Sequence, residues 1–117
     1  MTSRSFENKN PGNIRSGPFS ESRGATDDGH GYAKWPTVIQ GLATMIGLLS
    51  VKSYRELSLM DAIKRYAPSG DNNRPKEYAD YVAQRAGVSS GTVIGEMDPF
   101  QLLRVVEAMI RFEGWLK

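Results

Sequence analysis

The stretch Asp98-Pro99-Phe100-Gln101-Leu102-Leu103-Arg104-Val105-Val106-Glu107-Ala108-Met109-Ile110-Arg111-Phe112-Glu113-Gly114 carries the fewest ambiguities in the sequence. Asp98 is a helix N-cap, Pro99 suits the first helical position, and Gln101 stands where a capping box needs it. The predicted helix runs to Glu113 and stops at Gly114. Leu103, Val106, Ile110 and Glu113 are spaced 3, 4 and 3 apart and share one face. Glu113 thus takes the last slot of an apolar stripe. Partial burial raises a carboxyl's pKa, and the negative end of the helix dipole opposes ionisation further. A carboxylic acid held protonated near neutral pH is the proton donor that glycoside cleavage requires. The ordinary alternative is a solvated glutamate, or one paired with Arg111 or Arg65.

Working back from that helix, the remaining signals are also mostly helical. Pro75 opens a helix carrying Tyr78, Tyr81 and Val82 that ends at Gly87. Ser58, with Asp61 three residues on, caps a helix through Tyr66. Val38, Leu42, Met45, Ile46 and Leu49 recur at helical spacing over about residues 37–52. A short helix is expected after Ser89 or Ser90. Residues 67–74, with Pro68, Gly70 and Asn72-Asn73, form a loop. The first third is different. Asn10-Pro11-Gly12-Asn13 is a turn by its chemistry. Ile14-Arg15 and residues 31–35 read as two short strands, with a loop between them. The predicted fold class is mainly α, of the α+β kind: one domain over residues 1–117, with a small irregular β-like flap at 1–35 and a body of four to five helices at 36–117.

Composition narrows the chemistry. The 117 residues include no cysteine and one histidine, His30, so disulfides, thiolate chemistry and a His-rich metal site are set aside; no metal and no cofactor are expected. Lys plus Arg total 15 against 13 Asp plus Glu, without the clustered basic residues that phosphate binding needs, so nucleic acid is not the expected partner. The longest apolar run, residues 41–51, is too short and mixed to span a bilayer. The polar opening lacks the apolar core of a Sec signal.

Three stretches together resemble the lysozyme superfamily, of the goose-type and soluble lytic transglycosylase kind, with their order rotated. Ala108-Met109-Ile110-Arg111-Phe112-Glu113-Gly114 resembles the catalytic helix of that family. Asn10-Pro11-Gly12-Asn13-Ile14-Arg15 resembles the segment that normally follows it, and Tyr32-Ala33-Lys34-Trp35-Pro36-Thr37 the next part of a related glucosaminidase pattern. Ala62-Ile63-Lys64-Arg65-Tyr66-Ala67-Pro68-Ser69-Gly70-Asp71, with Tyr78, Val82 and Gly87 beyond, resembles the tyrosine-containing loop and following helix. Here the glutamate helix comes last, a circular permutation similar to that of small phage-encoded proteins that begin near an Asn-Pro-Gly-Asn-Ile-Arg motif. Ala67 stands where transglycosylases commonly have Asn.

The resemblance implies cleavage of bacterial peptidoglycan between N-acetylmuramic acid and N-acetylglucosamine, by a lytic transglycosylase or a muramidase. Glu113 would be the catalytic acid. Tyr66, Ser69, Asp71 and Tyr78 would bind substrate with Asn10, Asn13 and Arg15 of the flap. A hydrolase would need a second carboxylate, for which Glu7, Glu21, Asp27 and Asp28 are candidates; a transglycosylase needs none. Trp35, Trp115, Tyr32 and Tyr54 are candidate sugar-stacking rings. Delivery would be in a virion, or to the periplasm or cell wall by a secretion apparatus or another non-Sec route. The competing function is a non-catalytic virion or cell-wall-binding protein with a lysozyme-like shape. An exposed Glu113 locked to an arginine would favour it. An interaction protein aimed at a host factor is a third reading.

Overall fold

The computed structural model describes residues 3–67 and 74–114. The fold is mainly α with a small two-stranded sheet. Helices α1 (Arg4–Glu7) and α2 (Pro18–Ser22) lie in the N-terminal third with strands β1 (Thr26–Asp27) and β2 (Ala33–Lys34). Then come α3 (Val38–Ser50), α4 (Lys52–Arg55), α5 (Leu59–Tyr66), α6 (Pro75–Ala86), a 3-10 turn (Ile94–Glu96) and α7 (Pro99–Phe112). Four of these helices reach eight residues or more; α1, α2 and α4 are single turns of four or five. No described helix is long and apolar enough to cross a membrane.

The long helices start where their side chains satisfy the free N–H groups. Asp98 accepts from Gln101 N at 2.8 Å and Gln101 Oε1 accepts from Asp98 N at 3.0 Å, closing the capping box of α7. Ser58 caps α5 through Asp61 N, and Thr37 caps α3 through Gln40 N. The cap at Thr37 puts Pro36 outside α3. Gly87, at φ +70°, closes α6 in the left-handed conformation that glycine adopts without strain. The expected short helix after Ser89 is instead the 3-10 turn, preceded by extended backbone that bonds back to the start of α5: Leu59 N donates to Thr92 O and Ile94 N to Leu57 O.

The apolar face of α7 is rotated from the expected one. Leu103 is 55% exposed, whereas Val105, Val106, Ala108 and Met109 are buried. The buried line is better traced by Leu102, Val106, Met109 and Glu113, and Glu113 still ends it. The core joins these residues to Trp35, Met45, Leu49, Leu59, Ile63, Tyr78 and Val82, with α6 packed between α5 and α7.

In the flap, β1 and β2 are antiparallel, with Thr26 opposite Lys34 and Asp27 opposite Ala33. Ile14-Arg15 contributes a single bridge, Arg15 to Tyr32, rather than a strand, and the expected loop between holds α2 and β1. Asn10 holds this arrangement together. It is fully buried; its Nδ2 donates to the carbonyls of Ile14 and Ala33, and its Oδ1 accepts from Ile14 N, each at 2.9 Å. Replacing Asn10 with Ala strands two buried backbone groups, Ile14 N and the Ala33 carbonyl, while the Ile14 carbonyl keeps its bond from Ala33 N, so unfolding titrations of Asn10→Ala are expected to show a loss of about 2–4 kcal/mol.

Candidate functional site

The turn at residues 10–13 is built to lie close against helices. Pro11 is buried, and α3 has Gly41 where the turn crosses it: a Cβ there would collide with the Lys9 carbonyl and sit 3.0 Å from Pro11 Cδ. A Cβ on Gly12 would stand 2.7 Å from Met45 Sδ and would overlap the Tyr66 hydroxyl. That hydroxyl donates to the Gly12 carbonyl and ties the C-terminal end of α5 to the turn. Asn13 then takes φ +51°, a left-handed conformation that Asn tolerates better than most side chains.

The C-terminal end of α7 arrives at the same place. Glu113 is its C-cap, with its N–H on the Met109 carbonyl, and Gly114 turns the chain at φ +89°. Phe112, one residue earlier, stacks on Tyr78 of α6 with ring centroids 4.0 Å apart and planes 22° apart. Glu113 is half-buried, and its electrostatic neighbours are Tyr78, Asn13 and Tyr66. Burial pushes its carboxyl above the usual range, while the neighbouring Tyr78 hydroxyl and Asn13 side chain favour the charged form; burial wins. Tyr78 is driven well above the ordinary tyrosine value by burial and then by the Glu113 charge. Tyr66 is shifted the same way, by burial, Glu113 and Tyr54. Tyr66 as a residue keeps partial exposure although its hydroxyl is enclosed. Residues 12–13, 66, 78 and 113 therefore share one site despite their separation in sequence.

The arginines expected as ordinary partners are occupied elsewhere. Arg111 Nε lies 3.6 Å from Glu107 Oε1, and Arg65 lies over the Tyr54 ring at 5.6 Å. Among the described residues, no second carboxylate contributes to the shift at Glu113.

Several expected substrate contacts require correction. Asn10 has no exposed surface and all its observed bonds are internal, so it builds the turn and does not face a ligand. Tyr78 is likewise fully buried and reaches Glu113, not solvent. The Tyr66 hydroxyl is committed to Gly12, and the residue as a whole is half-buried. Arg15 is exposed on the flap, 4.8 Å from the Tyr32 ring, which Arg4 also flanks at 4.9 Å. Ser69, Asp71 and Trp115 lie outside the described residues. Trp35 and Tyr54 are core residues at 2% and 7% exposure, too enclosed to stack on a sugar.

The acidic flap residues serve local structure. Burial pushes the Asp28 carboxyl up, but hydrogen bonds from Asn8 and the N–H groups of His30 and Tyr32 outweigh it and hold it low. Asp27 is held low chiefly by the Ser16 hydroxyl and the Gly29 N–H. A polar hollow of about 320 Å³ beside Asp28 is lined by Arg4, Glu7, Asn8, His30 and Lys34, and shares no residue with the Glu113 cluster. Sequence reasoning missed Phe112, Met45 and the pairing of Tyr54 with Arg65 behind Tyr66, all of which depend on contacts remote in sequence.

The raised Glu113 pKa has a definite effect on stability. The folded chain holds this proton more tightly than the unfolded chain. The resulting stabilisation is present at acid pH and is lost as pH rises through the folded-state pKa. Glu113→Gln cannot ionise, so it is expected to melt above wild type at pH 8, with the gap closing as pH falls toward the ordinary carboxylate range. Calorimetry across this range checks this; equal or lower melting of the variant at pH 8 contradicts it.

A scan against protein-family models finds no match, and no curated protein sequence matches the chain significantly.

Proposed function

From a half-buried glutamate whose hold on its proton is strengthened by burial, beside an asparagine-glycine turn, we propose that this chain cleaves peptidoglycan glycan strands between N-acetylmuramic acid and N-acetylglucosamine, as a lytic transglycosylase. The observation that carries the proposal is Glu113 itself. It ends the buried face of α7, keeps part of its surface, and sits among uncharged hydrogen-bonding groups with no arginine among the described groups that set its charge. The resemblance of residues 108–114, 10–15 and 62–71 to the goose-type and soluble lytic transglycosylase pattern supplies the substrate class.

In the proposed reaction the bond from the muramic acid C1 to the bridging oxygen breaks, and the Glu113 proton passes to that oxygen on the leaving glucosamine. The C6 hydroxyl oxygen of the same muramic acid residue bonds to C1, and its proton returns to the Glu113 carboxylate. One carboxyl serves as acid and then base. This route needs no second carboxylate, whereas hydrolysis uses one or a placed water. Asn13 and the half-buried Tyr66 border the reacting acid, and Arg15 is exposed on the flap. Delivery in a virion, or by a non-Sec route to the cell wall, fits such a substrate. Among the described residues no arginine pairs with Glu113, and such a pair is the feature that would favour a purely wall-binding role.

Turbidity loss from purified peptidoglycan checks the proposal. Glu113→Gln is expected to reduce the rate by about 10²–10⁴-fold with the fold intact. Equal clearing by both proteins removes Glu113 from the chemistry.

A further inference from the structure

Two buried side-chain oxygens at the site, the Tyr78 hydroxyl and Asn13 Oδ1, have no well-formed hydrogen bond. Such groups are rare in native interiors, because each costs about 1–3 kcal/mol when left unsatisfied. Both belong to residues that act on Glu113. The capacities of the three groups differ. An ionised carboxylate only accepts, Asn13 Oδ1 only accepts, and a phenol does both. A charged Glu113 can take a proton from Tyr78 or from the Asn13 amide N–H. A neutral Glu113 has its own O–H to give, and the two orphaned oxygens are its available acceptors.

We infer that Tyr78 holds the Glu113 carboxyl in both protonation states, donating to the carboxylate and accepting from the acid. Tyr78 suits this task because its ring cannot move freely. It has no exposed surface, stacks on Phe112 at 4.0 Å, and Phe112 is further braced by Tyr81 at 5.5 Å. The other groups facing Glu113 do not duplicate the role. Tyr66 of α5 has committed its proton to the Gly12 carbonyl, with Tyr54 and Arg65 behind it. Asn13 of the turn donates through Nδ2 and accepts through Oδ1, so serving both states requires its amide to turn over, whereas the single Tyr78 oxygen serves both in place. Tyr78 acts through Glu113 and is a positioning residue; its value to catalysis rests on the proposed function, whereas the pairing does not.

The test is a carbon-13 titration of the Glu113 carboxyl in wild type and Tyr78→Phe, which keeps the stacked ring and removes only the hydroxyl. The bond lost from the carboxylate is charge-assisted and outweighs the one lost from the neutral acid, so the Glu113 pKa moves upward, and the alkaline limb of the peptidoglycan rate profile, where the acid gives up its proton, moves with it. The variant is expected to lose about tenfold in kcat, with KM within twofold, the cost of one modest hydrogen bond. In wild type, the Tyr78 ring-carbon resonance next to oxygen inflects at the pH where Glu113 titrates, and this inflection disappears in Glu113→Gln. That second measurement applies even if Tyr78→Phe folds poorly. An unchanged or lower Glu113 pKa in the variant, or a Tyr78 resonance indifferent to Glu113, overturns the inference. A coupled titration in a protein without glycan-cleaving activity upholds the pairing and defeats the proposed function, so the two failures are separable.

Discussion

The site depends on one close approach: the backbone of the turn at residues 10–13 lies directly against Met45 and the Tyr66 hydroxyl, with no room for a side chain at Gly12. The contact joins the N-terminal segment to the helical body across more than fifty residues of sequence. Asn10 fixes the shape of the turn from within, and Gly41 lets it settle on α3. Asn13 is thereby brought to the end of α7, where Glu113 emerges. A larger residue at position 12 would lift the turn and leave the acid with less cover on that side.

The consequence is a balance of opposing electrostatic effects. Enclosure by helices and turn disfavours the Glu113 charge, while Tyr78 and Asn13 stabilise it. A deeper site with no polar neighbours would keep the acid permanently protonated and unable to recover a proton as base. A fully exposed one would ionise below neutral pH and lose its ability to donate. Glu113 lies between these extremes in its surroundings, half-buried and with Tyr78 and Asn13 beside it. The same burial costs stability whenever Glu113 is charged, an expense common at sites whose chemistry needs a displaced pKa.

Much of the helical body was legible in the sequence because its signals are local. Asp98 with Gln101, Ser58 with Asp61, Pro75 and Gly87 mark helix ends through bonds spanning a few residues. The single-turn helices at Arg4–Glu7 and Pro18–Ser22 were not legible: segments so short carry no periodicity and are held by tertiary contacts. The buried face of α7 was misread by about one position because Leu103 is apolar yet exposed, and hydrophobicity alone does not say which leucine faces the core. At the site, Glu113 stood out as a charged residue ending an apolar stripe. The roles of Asn10 and Tyr78 did not, since a polar residue that bonds inward and one that bonds a ligand look alike without coordinates.

The central claim is that Glu113 breaks a glycosidic bond, and mass spectrometry of the soluble fragments released from purified peptidoglycan tests it most directly. The account predicts disaccharide-peptides cut at the muramic acid end and lighter by one water than their hydrolysed counterparts, the mark of an internal 1,6-anhydro ring. Fragments cut only in the stem peptides, with glycan strands intact, or no fragments at all, would contradict it.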